Sequence, residues 1–554
     1  MKTFILSIFS ILFSVIVHAQ SAPDKYWVEF TDKNDSPYSI ENPIEFLSQK
    51  SIDRRANQNI DVIEQDIPVN QTYISQVLAL GDIDLLLRSK WLNAITVHLT
   101  DESLIDDILA LDFVSQIKSA KMYLKGDYEQ EEIPVTSKQY DPSDYGVSFN
   151  QLDMLNGYYL HEQDLLGQGM LIYVCDGGFN HLDERTAFNH LFEAGRIIGT
   201  RDFVDGDDFV YESSTHGTSV MGTMAGIIPN ELIGTAPEAS YFLARTEDVG
   251  SEFLIEEDNW IAGAEMADSL GADIMTTSLS YTTFDDPSQD HVYEDLDGQT
   301  TRVAIGAGIA ASKGMLIVTS AGNYFGGPWH FIGSPADAFN VLAIGAVTAE
   351  GDHSSFSSAG PSADGRVKPE IVAQGSAAVS TATGSDGIAF VSGTSFSGPI
   401  IAGISSCLWQ AFPNATSLEV REAIIQSASQ YDSPDETLGY GIPNYQFAYE
   451  MLSDATGIKD SVLPGRENFY FQSVSPNPFS DKLRILLRSK SGNNEDAILS
   501  LYDYRGKILK QLEFNLAANQ LNEFIVDLSD ISAGLYSLEY KSQSAREVIK
   551  VVKY

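Results

Sequence analysis

Apolar and polar positions alternate differently in three stretches of this chain. Between residues 25 and 125, period-2 runs predict strands at 26–30, 83–87, 94–99 and 116–124, and runs of helical spacing predict helices at 44–56, 73–80 and 104–111. That is enough for a small α+β domain. In the middle of the chain near-continuous apolar runs appear, such as Ile-Tyr-Val-Cys-Asp at 172–176, together with apolar residues at helical spacing after His216 and Ser395. Strands of that kind are buried on both faces, as in a parallel α/β sheet. From residue 474 the pattern is β throughout, with a turn at 504–507, and predicts a small β-sandwich.

The start of the chain adds Lys2, an apolar run over 4–17 and the small-residue site Val17-His18-Ala19, a pattern of secretory signals. The run is too short to span a bilayer, and no later segment reaches that length. Two polar stretches without periodicity, 126–144 and 456–473, read as exposed linkers. The expected plan is a signal peptide at 1–19, an α+β domain at 20–140, an α/β domain at 141–455, a linker at 456–473 and a β-sandwich at 474–554.

The chain has 77 acidic and 34 basic residues, a formal charge of −43. This argues against nucleic acid and anionic membrane as partners. Cys175 and Cys407 both lie in apolar segments and read as buried free thiols rather than a disulfide. Their spacing gives no reason to expect a metal centre.

Three segments carry candidate chemistry. Residues 391–403, Val-Ser-Gly-Thr-Ser-Phe-Ser-Gly-Pro-Ile-Ile-Ala-Gly, set Ser395 near Gly393 and ahead of an apolar helix bearing Ile400, Ile401, Ile404 and Leu408. A hydroxyl at a buried helix N-terminus is set among amides that favour negative charge, although a serine in a glycine-rich turn is an equally good reading of this stretch alone. Pro399 is expected within the first helical turn, where a missing N–H is tolerated. Asp176 ends a buried strand before Gly177 and Gly178, where open α/β sheets bind ligands. His216 precedes a glycine-rich helix with Val220 and Met224. A lone histidine is more often structural, and the presence of Asp176 and Ser395 changes that balance.

The order Asp176, His216, Ser395, in the motifs DGG, HGTSVMGTMAG and GTSFSGP, resembles the subtilisin-like serine proteases. The segment IVTSAGN at 317–323 is a fourth match. The resemblance implies a three-layer α/β core with a mostly parallel sheet, a catalytic Asp176–His216–Ser395 triad, and Asn323 as an oxyanion donor. It also implies substrate binding along Thr277, Ser278, Leu279 and Ser280 by strand addition. The first domain is similar to the family's propeptide, which assists folding and then inhibits; a substrate-binding or adhesion domain is the alternative. The motifs SPNPF, LYDYRGK and SAGLYSL resemble the type IX secretion sorting domain of Bacteroidetes, against a carbohydrate-binding or adhesion module. The expected product is a secreted endopeptidase whose partners are polypeptide substrates, its own propeptide and the secretion machinery, with no nucleic acid and no stable membrane insertion. A non-catalytic binding protein on the same scaffold is the alternative.

Three departures stand out: Gly177 where Thr or Ser is usual, Ser219 where many relatives have a second histidine, and Phe396-Ser397-Gly398 after the serine. No cofactor is expected in the chemistry. Many relatives carry structural calcium, and the acidic loops 205–208 and 295–298 are the places for it. Neither matches an EF-hand, so both read better as solvated loops, and no metal ligand is assigned.

Overall fold

The structure, a computed structural model, describes residues 24–121, 141–455 and, between 471 and 553, seven strands with parts of their connections. The expected signal peptide and most of both expected linkers lie outside the described residues.

The first domain is an antiparallel sheet of β1 (Lys25–Phe30), β2 (Ile83–Ser89), β3 (Ala94–Leu99) and β4 (Val114–Lys121), in the order β2-β3-β1-β4. Helices α1 (Gln49–Asn57), α2 (Gln71–Leu78) and α3 (Leu104–Leu109) complete it. The helix expected over 44–56 is interrupted. Pro43–Glu45 forms one 3-10 turn, then Ser48 takes an extended backbone and its side chain accepts from the Ser51 amide, so the α-helix starts afresh behind a polar cap.

The central domain is a seven-stranded sheet of β5 (Leu171–Asp176), β6 (Ile197–Asp202), β7 (Ser240–Arg245), β8 (Ile274–Thr277), β9 (Leu316–Ser320), β10 (Leu342–Val347) and β11 (Ile371–Gln374). Its order is β11-β10-β9-β8-β5-β7-β6, and every neighbouring pair is parallel. The central strand β5 is buried along its whole length. Its side chains divide by parity. Ile172 and Val174 share a core with Val220 of α4 (His216–Ala225) and Ile400 and Ile404 of α7 (Thr394–Ala411). Leu171, Tyr173 and Cys175 join Trp260 and Ile261 of α5 (Ile255–Leu270) and Val303 and Ala304 of α6 (Arg302–Ser312). Helices thus cover both faces and make the three-layer core. Each fully buried Leu or Ile on these strands contributes about 1.5–3 kcal/mol.

The first domain docks on α5 and α6. Arg54, Arg55 and Lys90 all reach the buried carboxylate of Asp268, while Glu265 accepts from the Lys90 and Trp91 amides. The Arg302 guanidinium lies 5.1 Å from the Trp27 ring centre.

The last region contains β12 (Phe471–Ser475), β13 (Lys482–Arg488), β14 (Glu495–Tyr502), β15 (Ile508–Leu516), β16 (Leu521–Asp527), β17 (Gly534–Ser542) and β18 (Arg546–Lys553). Sheets β12-β13-β16 and β15-β14-β17-β18 share one core, in which Leu483, Ile485 and Leu487 meet Leu499, Leu501, Leu538 and Tyr540. This is a sandwich of two antiparallel sheets.

Candidate active site

The carboxyl ends of three neighbouring strands, β5, β8 and β9, bring the singled-out residues to one edge of the sheet, where ligands of open α/β folds bind. Asp176 is the last residue of β5 and is fully buried. Gly178 follows with φ +129°, and a Cβ there would lie 2.4 Å from the Glu212 carbonyl oxygen, so only glycine fits. The Gly217 amide donates to the Gly178 carbonyl oxygen at 3.1 Å, and a Cβ on Gly217 would come within 2.5 Å of that oxygen. The DGG and HGT motifs therefore interlock through backbone, and the start of α4 is drawn against the end of β5.

That contact presents His216 to Asp176. Imidazole Nδ1 lies 2.9 Å from each carboxylate oxygen, and Asp176 Oδ1 also accepts the Gly177 amide at 2.8 Å. The Asp176 charge holds the His216 pKa above its usual value of 6.5, against the opposing effect of burial. Where relatives have a hydroxyl, Gly177 leaves room for Val249, whose Cγ1 would be 2.7 Å from a Cβ at 177.

Ser395 is the second residue of α7 and is 8% exposed. Gly393 caps that helix at φ +149°. Pro399 is the sixth helical residue, not a first-turn residue as the sequence suggests, so its missing N–H leaves the carbonyl of Ser395, four residues earlier, without an intrahelical donor. The Ser278 hydroxyl donates to that carbonyl at 3.0 Å. In return, Ser395 Oγ donates to the Ser278 carbonyl oxygen at 3.5 Å. The serine hydroxyl is thus turned toward β8, while the His216 ring sits 5.7 Å, centre to centre, from the ring of the next residue, Phe396.

Asn323 follows β9. Its Oδ1 accepts from the Thr394 amide at 2.9 Å and the Thr394 hydroxyl at 3.2 Å. With the oxygen pinned, the amide nitrogen is left as the free branch of the side chain. Thr394 is itself held, its carbonyl accepting the Ser320 hydroxyl at 2.9 Å and its Oγ1 the Gly322 amide at 3.2 Å.

Ser395 and Asn323 line a cavity of about 230 Å³ with Ser278, Leu279, Ser280, Tyr281 and Tyr324. Thr277 is not on its wall. It is the last residue of β8, 1% exposed, and its hydroxyl accepts from Trp260 Nε1 at 3.1 Å. The strand ends there, so 278–280 continue as irregular backbone. Sequence reasoning missed Tyr324, Glu247 and Glu252 as lining residues. The one available signal was that Glu247 falls just past the carboxyl end of β7.

Both acidic loops have partners from the chain itself. At the first, Arg245 Nη1 lies 2.8 Å from Asp202, 2.5 Å from Asp205 and 3.8 Å from Glu212. A guanidinium already occupies the place a metal ion would take. At the second, Asp295 accepts the Val292 amide, and Asp297 accepts the amides of Gln299 and Thr300. Cys175 and Cys407 are both buried and free, and burial pushes both thiols well above their usual pKa.

Residues 167–441 match the subtilase family, 25–135 the peptidase S8 propeptide domain of Bacteroidota, and 473–554 the secretion system C-terminal sorting domain. The chain is therefore the precursor of a subtilase-family serine peptidase, with its propeptide domain ahead of it and a type IX secretion sorting domain behind it. Among its relatives, a thermostable alkaline protease of Halalkalibacterium halodurans is 28% identical over 293 residues, 52% of this chain and 69% of the relative. An alkaline protease of Alkalihalobacillus alcalophilus is 26% identical over 437 residues, 78% and 94% of the two chains. Subtilisin E of Bacillus subtilis is 28% identical over 311 residues, 55% and 70%. The sorting domain marks the protein for export, to the surface or the medium, and no described helix is long and apolar enough to cross a membrane.

Proposed function

We propose that this exported peptidase is an endopeptidase that cleaves polypeptides through an acyl-enzyme. Ser395 Oγ attacks the scissile carbonyl carbon as its proton passes to His216 Nε2. Asp176 holds the Nδ1–H tautomer and stabilises the imidazolium while remaining ionised. His216 then protonates the departing amine as the C–N bond breaks, takes a proton from water as that water attacks the ester, and returns it to Ser395. The tetrahedral oxyanions are met by the Asn323 amide and the Ser395 N–H at the start of α7. All these steps are assigned to this chain's own groups, with no metal ligand or cofactor.

The observation that carries this reading is the buried carboxylate gripping His216 at 2.9 Å beside a cavity that holds both Ser395 and Asn323. Substrate would lie along Ser278, Leu279 and Ser280. In the free state the Ser395 hydroxyl points to Ser278, and rotation about Cα–Cβ is the adjustment the reaction asks of it. Catalytic hydrogen bonds commonly tighten only when substrate is bound. The propeptide is read as the inhibitor because it stays docked on the peptidase domain, with Ala120 at the end of β4 packed against Ile255 at the start of α5.

The test is Ser395→Ala. The unsubstituted chain is expected to be cut within 126–144 and to hydrolyse peptides, while the variant stays full length and inert. Equal processing of both would favour a binding protein on this scaffold, or an outside maturation enzyme, and hydrolysis of peptides by neither form would single out the binding protein.

A further inference from the structure

The cavity beside Ser395 opens beyond the ends of two neighbouring strands. β8 and β9 pair in register up to Thr277 and Thr319. Past them, Ser278 to Tyr281 line one wall of the cavity, and Ser320, Gly322, Asn323 and Tyr324 line the other. The Tyr324 side chain crosses from the second wall to the first, where its hydroxyl donates to the Ser280 carbonyl oxygen at 2.9 Å. The first wall is held in place behind this bond. Tyr281 exchanges backbone hydrogen bonds with Ser334 at 2.8 and 3.1 Å, and Ser280 Oγ lies so near Gly333 that a Cβ there would come within 2.1 Å of it. The root of Tyr324 is held as well, its amide donating to Ser358 Oγ at 3.0 Å and its carbonyl oxygen accepting the Gly327 amide at 2.8 Å. The ring lies along Gly322, where φ is +108° and a Cβ would be 2.7 Å from a ring carbon.

Resting on the endopeptidase reading, we infer that Tyr324 determines specificity: it is a crossbar that favours glycine, alanine or serine at the residue whose carbonyl is attacked, and turns away wide side chains such as phenylalanine. With that carbonyl carbon at Ser395 Oγ and its oxygen at Asn323, the side chain of the same residue falls between the walls that carry these groups, and there it meets the phenol ring. A wide side chain has to displace the ring. That breaks the bond to Ser280 and leaves a carbonyl without its donor in a site that bound substrate closes to water. A small side chain leaves the bond intact. Because both walls are tied from behind, the space cannot be gained by spreading them, and crowding a packed site is itself unfavourable.

The test digests a mixed peptide pool with the protein as secreted, reads the cut bonds by mass spectrometry, and compares kcat/KM for alanine and phenylalanine at the residue giving the carbonyl. Alanine is expected to be favoured by about tenfold or more. In Tyr324→Ala the ratio is expected to fall below one, because the space of the ring becomes available. In Tyr324→Phe, which keeps the ring and loses only the tie to Ser280, it is expected to fall between the two, and this milder variant decides the matter if Tyr324→Ala does not fold. A ratio near or below one in the unsubstituted protein, or a ratio unchanged in either folded variant, overturns the inference. So does an equal loss on every peptide in both variants, the mark of a merely structural role. Cleavage of no peptide by the unsubstituted protein overturns the endopeptidase reading beneath it, whereas cleavage of the pool without regard to side-chain size overturns this inference alone.

Discussion

At the scale of single residues, each functional atom is fixed by a hydrogen-bonded neighbour. Thr394 pins the Asn323 oxygen, Ser278 occupies the Ser395 carbonyl that Pro399 leaves open, and Asp176 orients His216. Because Asp176 raises the His216 pKa, the base is protonated and inactive at acid pH. kcat/KM is therefore expected to rise with pH through a midpoint above the ordinary 6.5. Asp176→Asn should remove that upward shift and lower kcat by roughly 10⁴, the loss seen on such a replacement in another serine protease. A pH–rate profile of both forms checks this. Asn323→Ala should lower kcat about 10²–10³-fold with KM little changed, the size of loss recorded for this kind of donor in subtilisin itself. Gly393→Ala forces an alanine to φ +149°, at a cost of roughly 1–3 kcal/mol, and displaces the turn that sets Ser395. Lost turnover with a retained cooperative melt is the expected result.

At the scale of elements, the interface between the first domain and helix α5 is polar at its centre. Burial would raise the Asp268 pKa, but Lys90, Arg54 and Arg55 outweigh it and hold the carboxyl below its usual value. A depressed carboxylate contributes stability above its unfolded pKa of 3.8 and loses it as pH falls through the folded value. Acid below about pH 4 should therefore loosen the propeptide. Asp268→Ala takes away the carboxylate shared by three buried cations, of which Arg55 alone keeps a second carboxylate partner in Asp66, and should cost about 3–5 kcal/mol of docking, measured as propeptide retained on a sizing column after processing. Undiminished retention would show that apolar contacts such as Leu87 and Ala120 with Ile255 and Ala262 suffice. The sequence foretold these elements well where apolar spacing was regular. It erred at 44–56, where Ser48 caps a fresh helix, and at Thr277, whose hydroxyl turns to Trp260. Both are decided by hydrogen bonds that spacing does not encode.

At the scale of the whole molecule, the chain is an export precursor in three folded parts. The sorting sandwich has its own core, from Leu483 to Val551, so removing residues 471–554 should leave the peptidase domain folded but retained in the cell. Fractionation followed by activity assay would show it. Since Cys175 and Cys407 are both buried and unpaired, a reductant should leave the melting temperature unchanged.

Taken alone, the sequence determined the order of the parts, buried runs such as 172–176 that became strands of one parallel sheet, and the short motifs around Asp176, His216, Asn323 and Ser395. Those features are local, written in periodicity and in glycines that tolerate no side chain. Tertiary structure alone decided that Thr394 would turn the Asn323 amide, that Arg245 would fill one acidic cluster, and that Tyr281 and Tyr324 would line the cavity with the serine. These arrangements join residues tens to hundreds of positions apart. Their geometry depends on how layers pack, which the chain specifies only as a folded whole.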